Sequence, residues 1–173
     1  MNVIAKFEKV SLAQFKTDWL KFNPDATEAE ITEIYNAIEL PSRSTKGSAG
    51  YDIKSPVEFA INHGESKVIP TGLRCRIDDG WFLDINPRSG QGFKFGIRLA
   101  NTRGIIDSDY YNADNEGHIM IKITNESVIA REMSFRVAPG QGFAQGIFTI
   151  YGITEDDCVD TERTGGLGST DKK

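Results

Sequence analysis

Residues 104–119, GIIDSDYYNADNEGHI, put a carboxylate where a strand-like run ends. Asp107 is followed by Tyr110 and Tyr111 and by a polar run rich in Asn, and HIMIKITN then alternates again like a strand. An aspartate in this place is a common turn former. Held in a cleft, it can instead accept a proton or orient a water. Residues 87–90, PRSG, offer an oxyanion the Ser89 hydroxyl, the N–H groups around Ser89 and Gly90, and the charge of Arg88. Arg163 precedes a glycine-rich tail, RTGGLGSTDKK, for which two readings stand: an unanchored terminus, or a lid whose N–H groups and hydroxyls fold over a phosphate.

These groups need a scaffold. Residues 3–9 read as a short strand. Ser11 is placed to cap a helix over 12–22, with Leu12, Phe15, Trp19 and Phe22 on one face. Asn23-Pro24 ends it, and Thr27 with Glu30 has capping-box spacing for a second helix striped by Ile31, Ile34, Tyr35 and Ile38. Such short helices need a body to pack on. From Leu40 onward, short alternating runs such as KVIPTGLRCRI, WFLDINP and IMIKITN are punctuated by Pro and Gly. That texture predicts an all-β sandwich or barrel. The expected fold is mainly β: one domain over 1–173, with a helical insert over about 11–38.

The 173 residues suffice for a real core, and 39% hydrophobic content favours a globular chain over disorder. A net charge of −5 argues against general nucleic-acid binding but leaves room for a small anionic ligand. No run approaches the ~20 apolar residues of a membrane span, and MNVIAKFEKV is too charged for a secretory signal. A soluble, cytoplasmic protein is expected. Cys75 and Cys158 are expected to be separate reduced thiols. Trp19 and Trp81 are expected in the core or in a subunit contact, and His63 in a surface turn.

Five segments, AGYDI, PRSG, the Asp107 hairpin, GQGFAQ and RTGGLGST, in this order and spacing resemble the five motifs of the homotrimeric deoxyuridine triphosphatases. The resemblance covers about residues 40–170 and is most specific over 87–110. It is strongest to bacterial, often phage-borne, members with a helical N-terminal insert. It implies a jelly-roll-like subunit and hydrolysis of dUTP to dUMP and pyrophosphate by water attack on the α-phosphorus. Asp107 is then the catalytic carboxylate, and Tyr110 stacks under the deoxyribose and excludes a 2′-hydroxyl. The hairpin reads uracil, with Asn101 at its base, Gly104 and Ile106 leading in, and Asn115, Gly117, His118 and Ile119 as the reading residues. Arg88, Ser89, Gly90 and Gln145 take the phosphates. Arg163 closes over the γ-phosphate with Gly165, Gly166, Leu167, Gly168, Ser169 and Thr170, in a lid over about 160–173. Asp52 is linked through water to Mg²⁺, which the phosphates hold without a direct protein ligand. Each site takes segments from three chains.

Three departures from the motif pattern stand out. The hairpin tip is long. Gly142 stands where the family has an arginine, so a salt bridge to Asp52 is not available from that position. Leu167 replaces a phenylalanine that covers the base. Rival readings are a dCTP deaminase or bifunctional relative, and a catalytically quiet nucleotide-binding regulator that uses the insert to hold a protein partner. A structural jelly-roll protein would explain the strands but not the motifs.

Overall fold

The computed structural model describes residues 2–127, 134–161, 163, 165 and 166. Twelve strands and three helices run in the order β1 (Ala5–Lys9), α1 (Leu12–Phe22), α2 (Glu28–Ala37), β2 (Ser42–Arg43), β3 (Tyr51–Lys54), β4 (Phe59–Ile61), β5 (Ser66–Pro70), β6 (Leu73–Ile77), β7 (Trp81–Pro87), α3 (Ser89–Phe95), β8 (Ile97–Leu99), β9 (Gly104–Ile106), β10 (Met120–Asn125), β11 (Phe135–Val137) and β12 (Gly142–Ile150) among the described residues. A 3₁₀ turn, Ser108–Asn112, follows β9.

Every pairing is antiparallel. The largest sheet has the order β2-β3-β12-β7-β9, and smaller ones are β5-β10-β8, β1-β6 and β11-β4. The period-two pattern carries the burial. Leu73, Cys75 and Ile77 point inward on β6 while Arg76 points out, and Ile121 and Ile123 flank the exposed Lys122 on β10. These inner faces and the apolar stripes of α1 and α2 share one hydrophobic cluster. The strands do not close into a barrel, so the sandwich form of the expected fold is the one adopted.

The insert folds as its sequence dictates. Ser11 Oγ accepts the Gln14 N–H at 3.1 Å, and Thr27 and Glu30 make the reciprocal capping box. Phe15, Trp19 and Ile31 are buried. They seat on the turn between β5 and β6, where Gly72 has φ +71 and a Cβ would collide with Ile38. Only glycine accepts both that backbone and that proximity.

Trp19 is in the core and Trp81 is half-buried against it. His63 is exposed in a turn. Burial pushes the Cys75 thiol up to about 12, which makes it a poor nucleophile, and Cys158 is exposed and free.

Candidate active site

The segment 87–90 is the entry to a short helix. Arg88 caps α3, and Ser89 and Gly90 form its first turn, where backbone N–H groups have no partner within the helix. With Gly50, Asp52, Gln141 and Gln145 they line a cleft of about 670 Å³. Gln145 on β12 lies opposite Asp52 on β3 and donates to the Pro87 carbonyl at 3.1 Å. A Cβ on Gly50 would meet Gln145 Oε1 and displace that side chain. Asp52 is not left without a cation by the glycine at 142. Arg88 Nε lies 3.1 Å from Asp52 Oδ1, and Nη2 donates to Oδ2 at 3.3 Å. A Cβ at Gly142 would lie 3.0 Å from Arg88 Nη1, so the guanidinium packs against the face this glycine leaves open. The Asp52 salt bridge is therefore supplied from a different position.

Asp107 stands at the junction of β9 and the 3₁₀ turn. Its Oδ2 accepts from Arg163 Nη2 at 2.7 Å, and Arg163 Nε lies 3.0 Å from Asp109 Oδ1. The same guanidinium sits 5.5 Å from the Tyr110 ring centre. Tyr110 is buried. Its hydroxyl donates to the His118 carbonyl at 2.9 Å and accepts from Asn115 Nδ2 at 2.8 Å, and burial raises its pKa above 10. Tyr111 turns the other way, bonding Glu8 and lying under Arg74 at 4.2 Å. Tyr110 is thus the tyrosine beside the carboxylate.

Asn101, Gly104 and Ile106 line a second cleft of about 510 Å³ with Ile85, Leu99 and Met120. It shares no lining residue with the first. Gly104 lets β9 approach β7, since a Cβ would lie 3.1 Å from Ile85. Arg103 clamps Asp84 on β7 with bonds of 2.8 and 2.7 Å and pins the root of the hairpin. Sequence reading missed this pair. Its signal was an aspartate at an inward position of WFLDINP, which requires a partner.

The hairpin tip is tied to β1 and to the start of the insert. Ser11 donates N–H and Oγ–H to Glu116 at 2.7 and 2.6 Å, and Tyr111 reaches Glu8. His118 is fully buried between Gly72 and Asp18. The His118 N–H bonds the Asn115 carbonyl, and Ile119 bonds Leu73 and Thr71 through both backbone groups. Among the expected uracil-reading residues, Gly117 sits at the turn, with φ +68. Gly165 and Gly166 are half-buried, and Gly166 approaches Asn115. Leu167, Gly168, Ser169 and Thr170 lie outside the described residues.

Asp18 has an acid signature. Burial alone would raise its pKa, but hydrogen bonds from His118, Lys21 and Gln14 outweigh this and hold the carboxyl below its ordinary 3.8. Folding lowers this pKa, so the stability it brings is complete above the unfolded value and is lost as pH falls toward the folded one. Asp18→Asn cannot ionise, so its melting temperature is expected to fall less than wild type between about pH 5 and about pH 3.

A dUTPase family model matches residues 36–171. The chain belongs to the dUTPase family. The deoxyuridine 5′-triphosphate nucleotidohydrolase of Lactococcus lactis is 40% identical over 147 residues, 81% of this chain and 93% of that one. The crystal structure of a dUTPase from Streptococcus mutans superposes with a TM-score of 0.63 at 29% identity, covering 86% of this chain and 98% of that one. A mutant dUTPase of phage phi11 of S. aureus, described for its coordination of a structural Mg(II) ion, shares the fold with a TM-score of 0.62 at 18% identity, covering 92% and 98%. As a dUTPase, the chain hydrolyses dUTP to dUMP and pyrophosphate. The mainly β, sandwich-like architecture expected from the sequence is the dUTPase one. No described helix is long and apolar enough to cross a membrane.

Proposed function

We propose that the hairpin and the Arg88–Ser89 cleft are two parts of one dUTP site, contributed by different subunits of a homotrimer. The observation that carries this reading is the separation itself. Asp107, Tyr110 and Arg163 meet at the hairpin, whereas Ser89, Gln145 and Asp52 line a cleft that contains none of them. Exposed Phe93 and Ile105, at 92% and 55%, give the chain apolar surface to cover in an assembly.

In this reading the uracil ring enters the hairpin at Gly117, with Asn101 at the pocket's base and Gly104 and Ile106 on its approach. Asn115 borders it, and the buried His118 and Ile119, whose backbone groups are paired within the chain, support the hairpin from behind. A donor and acceptor pattern matched to uracil leaves buried groups unpaired against cytosine. Tyr110 packs against the sugar. Arg88, Ser89, Gly90 and Gln145 address the phosphates. The tail over about 160–173, including Leu167, Gly168, Ser169 and Thr170, closes as a lid with Gly165 and Gly166.

Arg163 occupies Asp107 Oδ2, leaving Oδ1 to take a proton from water. The water oxygen bonds to the α-phosphorus, the bridging P–O bond breaks, and pyrophosphate leaves. When bound, Mg²⁺ would supply charge neutralisation to the triphosphate. No group of three His, Cys, Asp or Glu side chains suited to an ion is found among the described residues, and Asp52 is engaged by Arg88 and Ser44. Asp52 is the carboxylate that would address the ion's water shell, beside the Ser89 segment that would take the phosphates. A cytoplasmic setting suits such an enzyme.

Sedimentation combined with subunit mixing tests the reading. Ser89→Ala and Asp107→Asn chains, each weakened, are co-refolded and assayed for pyrophosphate release from dUTP, with dCTP, dTTP and UTP alongside. Regained dUTP hydrolysis in a species of three-chain mass is expected. A monomeric mass, or no recovery in mixed trimers, overturns the shared site.

A further inference from the structure

Between the insert and the hairpin lies a buried polar junction that the phosphate chemistry does not use. Asp18 on α1 and His118 are both fully buried and stand 100 residues apart in sequence. The Gly72 N–H donates to His118 Nε2 at 2.8 Å. Nε2 is therefore the acceptor, and the ring proton sits on Nδ1, 2.7 Å from Asp18 Oδ2. Gln14 and Lys21 hold the Asp18 carboxylate at 2.8 and 2.6 Å. Without it, Nδ1–H would be a buried donor with no acceptor, and the ring could relieve this only by giving up Gly72.

The ring's setting passes directly into the hairpin. The His118 carbonyl receives the Tyr110 hydroxyl, and its N–H bonds the Asn115 carbonyl. On the solvent side Ser11 holds Glu116, whose φ of +57 precedes Gly117. The matched family span is 36–171, so Asp18 and Ser11 lie outside it while the hairpin lies within it.

We propose that Asp18 is a positioning residue for nucleobase recognition, fixing through His118 the shape of the hairpin that holds Tyr110 and Gly117. This rests on the reading of the hairpin as the uracil site.

Steady-state hydrolysis of dUTP, with dCTP as competitor, tests it on full-length variants alongside thermal melting. Asp18→Leu keeps the branched outline, with methyl groups where the carboxylate oxygens stand, and removes the acceptor. Its KM for dUTP is expected to rise about tenfold with kcat within about twofold, and exclusion of dCTP to weaken about tenfold. Asp18→Asn keeps an oxygen for Nδ1–H and is expected to stay within about threefold of wild type in KM. Glu116→Gln, on the exposed side, is expected to shift KM in the same sense by a smaller factor, and it serves where Asp18→Leu does not fold. Gly117→Ala, whose Cβ would lie 2.6 Å from the Tyr110 carbonyl oxygen, distorts the hairpin directly and is expected to raise KM further. A lower melting temperature in Asp18→Leu with unchanged KM and unchanged dCTP exclusion overturns the proposal, as does an Asp18→Asn variant no better than Asp18→Leu. With Asp18→Leu unfolded, an unshifted Glu116→Gln overturns it. If Gly117→Ala also leaves base preference intact, the uracil-site reading fails. If Gly117→Ala loses it and Asp18→Leu keeps it, the positioning role alone fails.

Discussion

Asp107→Asn is expected to lower kcat for dUTP by about 10²–10⁴-fold while a non-hydrolysable dUTP analogue still binds. The amide has the shape of the carboxylate, and its oxygen still accepts from Arg163 Nη2, so the hairpin root keeps its packing. What disappears is the carboxylate proposed to take the water's proton. Removing it acts on the transition state, so kcat and kcat/KM fall together and ground-state affinity does not. Pyrophosphate release gives the rate, and calorimetric titration of the analogue gives the affinity. Wild-type turnover in Asp107→Asn would remove this residue from the reaction. Loss of binding in parallel with rate would make it a structural support instead.

Phe15→Ala is expected to destabilise the chain by about 3–5 kcal/mol. Phe15 is fully buried, with ring centres of Trp19, Tyr35 and His118 at 5.2, 5.7 and 6.1 Å. It also approaches the Gly72 turn, where a Cβ would lie 3.3 Å from its ring. Truncation empties a space bounded by both helices and by the sheet, and rigid neighbours cannot close it. Because His118 forms one wall, the hairpin is expected to loosen along with the insert. Urea unfolding reads the stability change. A loss under about 1 kcal/mol would show that the insert is a loosely seated appendage.

The helical insert was legible because its signals are local. Ser11 and Thr27 cap, and apolar residues recur at helical spacing, so both helices begin where the sequence places them, while the second stops at Ala37, one residue short of the Ile38 in its stripe. Most strands were legible for the same reason. Helix α3 was not. Gly90 and Gly92 disfavour a helix, residues 87–90 have the composition of a loop, and the helix is held by a tertiary bond from Gln91 Nε2 to the Gly142 carbonyl at 2.9 Å. The substitution of glycine at 142 looked like a lost charge, and only the fold shows Arg88 occupying that space.

The hairpin divides the two kinds of knowledge most clearly. Its carboxylate, its tyrosines and its resemblance to the dUTPase motifs are properties of a contiguous string, and a string can be read. The purpose of its long polar tip could not be read from that string. Glu8, Ser11 and Asp18 meet Tyr111, Glu116 and His118 across 103, 105 and 100 residues. Such pairings have no periodicity or spacing to announce them, because they arise from two surfaces folding together rather than from one segment's own preference. The residues proposed for the chemistry were therefore legible in the sequence itself, and the way they are held was decided by tertiary contact.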